Sequence, residues 1–187
     1  MTYSRVRASG VGFGEAPYAG AVDGLAGFVL EAWNDFDRVL AEMSTADAGL
    51  QPSGQSSAAW ALGHVTEHLD RWINHSLQGF DRHPVLGNDR FRMGSEGAAD
   101  DWETIVAATK EVRERARPFI EQITADRLDE RHEFQGAVSG ELGGLTLRYT
   151  MIRIGAHHFF HIGVIACQRD LRGDQVGDYP GLLRSCL

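Results

Sequence analysis

Gly155-Ala156-His157-His158-Phe159-Phe160-His161-Ile162-Gly163 decides how this chain is read. Three histidines fall within five residues of an otherwise apolar, helical pattern. His157 and His161 are four apart. On a helix that spacing stacks two side chains on one face, with Cβ atoms roughly 5–6 Å apart. Two imidazoles so placed can share one metal ion. A second cluster, His64-Val65-Thr66-Glu67-His68, lies upstream on another predicted helix. A fold that brings the two helices together would gather three or more imidazoles.

Outward from that stretch, the pattern of helix 4 begins after Gly144, with Thr146 as a cap, and ends near Gly173. Met151, Ile154, His157, His161, Val164, Ile165 and Gln168 follow helical spacing along it. Helix 2 starts at Ser56 or Ser57, whose hydroxyl caps exposed backbone N–H groups, and runs to Gln78. Its inward face reads Ala61, His64, Val65, His68, Leu69, Trp72, Ile73 and Leu77, and Gly79 marks its end. Helix 1 spans about Asp23 to Met43, with Leu25, Val29, Ala32, Phe36, Val39, Leu40 and Met43 at 3–4 spacing. Helix 3 starts near Asp100 and repeats Trp102, Ile105, Val106, Thr109, Val112, Ala116, Phe119 and Ile123, with Pro118 expected to kink or break it. Thr45 to Gln55 and residues 80–99 read as loops, and connections as long as the second usually carry a packing or functional role. Residues 131–144 read as loop or a small hairpin. The ends, 1–22 and 174–187, read as an irregular arm and tail. Four amphipathic helices imply an all-α protein built as a four-helix bundle, one domain over 1–187.

Composition narrows the function classes. The 187 residues carry a net charge of −8, with 43% apolar and 24% charged residues. Binding to nucleic acid or an anionic membrane draws on clustered Lys and Arg, so neither partner is expected. No secretory leader or membrane-length apolar run is evident. Cys167 and Cys186 form no CxxC pair or disulfide framework. The expectation is a reduced, cytoplasmic protein acting on a small molecule.

The histidines admit two readings. In one they pack in the core, bonded to backbone or to each other. Leaving a buried imidazole unpartnered costs about 1–3 kcal/mol, and in the other reading one metal ion removes that cost for several at once. Three His with an open position is the donor set of catalytic zinc sites. His64 is the natural third donor to His157 and His161, with His68 one turn along as a pocket residue. Taken literally, His64-Val65-Thr66-Glu67-His68 also matches the H-x-x-E-H pattern of inverzincin proteases, a short match that arises readily on amphipathic helices. Glu67 points off the His64 face and is expected in solvent. His158 is expected half-exposed or donating to a ligand. Trp33, Trp60, Trp72 and Trp102 read as core. Arg153, one turn before His157, reads as a surface ion pair or as a contact to an anionic substrate.

Ser56-Ser57-Ala58-Ala59-Trp60-Ala61-Leu62-Gly63-His64 resembles the helix-2 signature of the DinB/YfiT-like superfamily, and His157-His158-Phe159-Phe160-His161-Ile162-Gly163-Val164-Ile165 resembles its helix-4 signature. Arg169-Asp170-Leu171-Arg172-Gly173 is similar to the usual helix end there, so the likeness spans roughly residues 23–175. Val164 stands where a Gln is common in that family. The resemblance implies a DinB/YfiT-like four-helix bundle holding a divalent metal (Zn, Ni or Fe) on His64, His157 and His161. His68 and Arg153 are expected to touch substrate. Family members of known activity are mostly thiol-dependent, including mycothiol-dependent maleylpyruvate isomerases, bacillithiol or mycothiol S-transferases, and the amino-terminal domain of ergothioneine sulfoxide synthases. A metal-dependent S-transferase or isomerase using mycothiol or bacillithiol is therefore implied. The alternative is a non-catalytic metal- or ligand-binding bundle of a stress response, and either is expected as a homodimer.

Overall fold

The computed structural model describes residues 23–99, 101–134, 143–174 and 176–186. The arm at 1–22 lies outside the described residues, as do Asp100 and 135–142. The protein is mostly helical. Helix α1 covers Gly24–Leu40, capped by the Asp23 carboxylate, which accepts from the Leu25 N–H at 2.8 Å. Ser44 caps a short helix α2, Thr45–Gly49, and a 3₁₀ turn follows at Pro52–Gly54, where only a loop was expected. A Ser hydroxyl before Asp47 suffices to start such a turn of helix.

Helix α3 covers Ala58–Leu69 and continues without a break as a π-helix over Asp70–Leu77. Ser57 caps it by accepting from the Trp60 N–H. Every residue from Ala58 to Leu69 is buried, so this helix is enclosed on all sides rather than on one stripe. Gly79, at φ +76°, ends the π segment, in a conformation that L side chains rarely adopt.

Helix α4 covers Trp102–Glu121. Asp101 precedes it but makes no side-chain cap, because its carboxylate pairs with Arg90 at 2.5 Å. Pro118 does not break it. It sits exposed in the last turn, and the helix ends three residues later. Helix α5 covers Leu147–Asp170, with the Thr146 hydroxyl accepting from the Tyr149 N–H as the spacing predicts. The hairpin expectation at 131–144 has a real counterpart. Strands β1, Arg131–His132, and β2, Leu145–Thr146, pair antiparallel just before α5.

Helix α1 packs along α5, α3 packs against both α4 and α5, and α4 also meets α1. One apolar core, including Trp33, Phe36, Leu62, Leu69, Ile105, Ile120 and Ile162, lies between them. The 80–99 connection is a packing element. Its Leu86 and Phe91 are fully buried, and Phe91 lies against the Gly63 face of α3. The tail is likewise held to α1, where the Gly181 N–H donates to Asp35 at 2.7 Å and Arg38 donates to the Asp178 carbonyl at 2.8 Å.

Candidate metal centre

Two rows of side chains face each other across the α3–α5 seam. On α3 they are Trp60, His64, His68 and, in the π segment, Trp72, each four residues apart. On α5 they are Tyr149, Arg153, His157 and His161, again four apart. The ring contacts tie the rows together. His64 meets His157 at 4.8 Å and His161 at 5.2 Å between centroids, and His157 meets His161 at 5.0 Å. His68 meets His157 at 4.8 Å, and Trp72 meets Tyr149 at 6.4 Å.

His64, His157 and His161 each offer a ring nitrogen, and these atoms lie within 4.8 Å of one another. A zinc ion with bonds of about 2.0–2.1 Å holds tetrahedral nitrogens roughly 3.3 Å apart. The cluster is compatible with a divalent metal.

The environment of His64 assigns its two nitrogens. Nδ1 lies 2.5 Å from the Phe91 carbonyl oxygen, so Nδ1 carries the proton and donates it. Nε2 is therefore a bare lone pair, buried, with no hydrogen-bond partner among the described residues. The ring is clamped by Trp60, stacked at 4.6 Å and 12°. Gly63 makes this possible, since a Cβ there would overlap the Phe91 ring. The Leu-Gly-His run thus has a packing reason: the glycine admits Phe91, and the carbonyl of Phe91 orients the histidine.

His157 is half-buried, and its Nδ1 is 2.9 Å from Nδ1 of His68. One of the two donates and the other accepts. His161 is buried between Trp60 and the edge of Phe160. Burial, with weaker repulsion from His64, lowers the pKa of His161 to about 4, and burial likewise leads in depressing His64, His68 and His157. All four are neutral at pH 7, the form that ligates a metal.

Several expectations need correction. His158 is fully buried and points away from the cluster, its Nδ1 on the Ile154 carbonyl at 2.9 Å and its ring against Phe36. Glu67 is buried, not solvated: it accepts from Arg82 at 2.6 Å and lies 3.7 Å from Arg71. Held there it cannot serve as a general base beside His64, so the protease pattern fails on geometry. Trp72 is only half-buried, unlike Trp33, Trp60 and Trp102. Arg153 is exposed and has no ion pair among the described residues. Cys167 is exposed, off the histidine face. Sequence reasoning missed the Phe91 carbonyl, which no local pattern announces, and the aromatic role of Trp72, which the four-residue steps from His64 through His68 to Trp72 did announce.

Three imidazoles from two helices, those of His64 and His161 buried and that of His157 half-buried, converge at the α3–α5 seam of a mostly helical protein. The chain is a member of the DinB superfamily, whose family model matches residues 29–165. A solved structure described as a conserved protein from Enterococcus faecalis has the same fold, with a TM-score of 0.62 over 80% of this chain and 96% of that one, at 14% identity. No curated protein matches significantly.

Proposed function

We propose that the chain is a divalent-metal-dependent enzyme, a thiol-dependent S-transferase or isomerase, carried on a single DinB-like four-helix bundle. The observation that supports it most is the bare, buried and unpartnered Nε2 of His64, set among two more neutral imidazoles. An orphaned acceptor of this kind costs about 1–3 kcal/mol unless something occupies it. His64, His157 and His161 would hold the ion. When bound, the ion lowers the pKa of a coordinated thiol so that it is presented as thiolate.

The chain's own residues supply orientation. The Phe91 carbonyl holds the proton of His64 on Nδ1 and so aims Nε2 inward. His157, ligating through Nε2, would carry its proton on Nδ1 and donate it to His68. That outer hydrogen bond sets the tautomer of His157 and raises its basicity as a ligand. Trp60 and Phe160 pack beside the His161 ring.

The test begins with elemental analysis of untagged protein beside a His157→Ala, His161→Ala double variant. One metal per chain, lost in the variant, is expected. Conjugation of a model electrophile is then followed with mycothiol, bacillithiol and glutathione in turn. Failure to take up Zn, Ni or Fe on reconstitution would overturn the metal site. A loaded protein inert with every thiol would overturn the S-transferase reading and leave a metal- or ligand-binding bundle.

A further inference from the structure

The α3–α5 seam is not uniform along its length. At one end Trp60, His64 and His161 are buried. At the other, the wall becomes aromatic and open. His68 lies edge-on to Trp72 at 4.6 Å, Trp72 meets Phe134 at 5.3 Å, and Trp72 and Tyr149 are near parallel, at 22°. Tyr149 is exposed and Trp72 and Phe134 are half-buried, so this wall offers ring faces to solvent. Arg153 stands on α5 between Tyr149 and His157, one turn from each. It is the only charged residue on α5 from Tyr149 to Gln168. It lies close enough to His68 to disfavour a positive charge there.

Ring faces attract flat, conjugated groups in stacked or edge-on pairs, beyond what the buried area alone gives. An Arg with no carboxylate partner among the described residues selects an anion, and its planar fork suits a carboxylate. We propose that the open end of this groove binds a planar aromatic carboxylate, its ring against Trp72, Tyr149 and Phe134 and its carboxylate on Arg153. The inference rests on reading the neighbouring cluster as the reacting centre, and it names the substrate class that centre would serve. Arg153 and His157 are one helical turn apart on α5, so a ligand held at the aromatic end would have its far edge beside the imidazoles.

The probes are 2-naphthoate, cyclohexanecarboxylate and 2-naphthalenemethanol, titrated calorimetrically into the full chain. The acid with the aromatic ring is expected to bind about tenfold more tightly than either the saturated acid or the neutral alcohol. Arg153→Gln is expected to erase the preference for acid over alcohol, and Trp72→Leu the preference for aromatic over saturated ring. The same titration on the metal-free His157→Ala, His161→Ala variant separates this inference from the metal reading. Naphthoate affinity retained there, and still lost with Arg153→Gln, supports the groove whatever the cluster holds. Affinity that vanishes in the double variant and ignores Arg153→Gln would mean that the carboxylate sits on the metal, and would overturn the proposal. So would equal affinity for all three probes.

Discussion

The two nitrogens of His64 do different work because they face different groups. Nδ1 donates its proton to the Phe91 carbonyl, and Nε2 is left as a buried lone pair facing the other imidazoles. The residue that permits this is the one before it. Gly63→Ala drives a methyl into the Phe91 ring, and overpacking of that kind costs about 1–3 kcal/mol. Phe91 must move and its carbonyl with it. The expected outcome is a lower melting temperature together with metal affinity weakened about tenfold or more, measured by competition with a chelator. A variant that melts lower but keeps its affinity would show that the carbonyl does not orient the ligand.

His64, His157, His161 and their neighbours also set a pH dependence. Burial holds His161 near a pKa of about 4 and the fully buried His158 near about 3, against an ordinary value of 6.5. His64, His68 and His157 are lowered as well. Unfolded, these groups take up protons near pH 6.5; folded, they resist until the solution is far more acid. The unfolded state therefore binds more protons below 6.5, and stability falls as pH falls. The contribution is fully present above about pH 6.5 and declines toward pH 4, at up to about 1.4 kcal/mol per pH unit for each histidine. Melting of metal-free protein between pH 8 and 5 checks this: a plateau above 7, then a fall, is expected. A constant or rising melting temperature down to pH 5 would contradict it.

At the scale of elements, α3 carries His64 and its π continuation carries Trp72. The turn into the π segment begins at Asp70, which is fully buried. Its carboxylate accepts from the His83 N–H at 2.8 Å and from Asn74 at 3.2 Å, with Arg82 Nε 3.5 Å away. Glu67, one turn before, takes the other face of Arg82. Two acids on the far side of α3 thus pin the 80–99 connection, and with it Phe91, against the helix. Asp70→Ala strands those buried donors, and breaking such a pair costs about 3–5 kcal/mol. A sharp loss of stability by urea denaturation is expected. A cost under about 1 kcal/mol would mean that the network is not holding the connection.

Local pattern carried much at this scale. Capping serines and threonines at 57 and 146 mark both helix starts, and the i, i+4 histidines of α5 do share a face. Pro118 misled, because a proline in a final turn removes one bond from a helix that is ending anyway. Glu67 misled because spacing gives the direction of a side chain but not what lies there. The 80–99 connection covers that direction and turns a solvent face into an interior one.

For the whole molecule, α4 and α5 both pack on α3, and α3 contributes the single histidine that faces the α5 pair. Anything bound there ties α3 to α5 and stabilises the folded chain by mass action. At a hundredfold excess over Kd the gain is about 2.7 kcal/mol, or roughly 5–10 °C in Tm for a chain of this size. Metal-loaded protein is expected to melt higher than chelator-stripped protein by that amount. The His157→Ala, His161→Ala variant is expected to show no such difference. Equal melting of loaded and stripped wild-type protein would identify the cluster as packing alone. Among the described residues no helix is long and apolar enough to cross a membrane.

By itself the sequence determined the four long helices, the caps at Ser57 and Thr146, the shared face of His157 and His161 and the family, because these depend on residues within a few turns of one another. It also pointed to His64 as third donor, because a polar residue on an apolar stripe needs a partner. Only the tertiary structure decided which nitrogen of His64 is free, that His68 bonds to His157, that Glu67 is sequestered, and that Trp72 meets Tyr149 across the α3–α5 seam. Each of these rests on a contact between segments far apart in the chain. Such contacts follow from how whole elements pack, and no local periodicity encodes them.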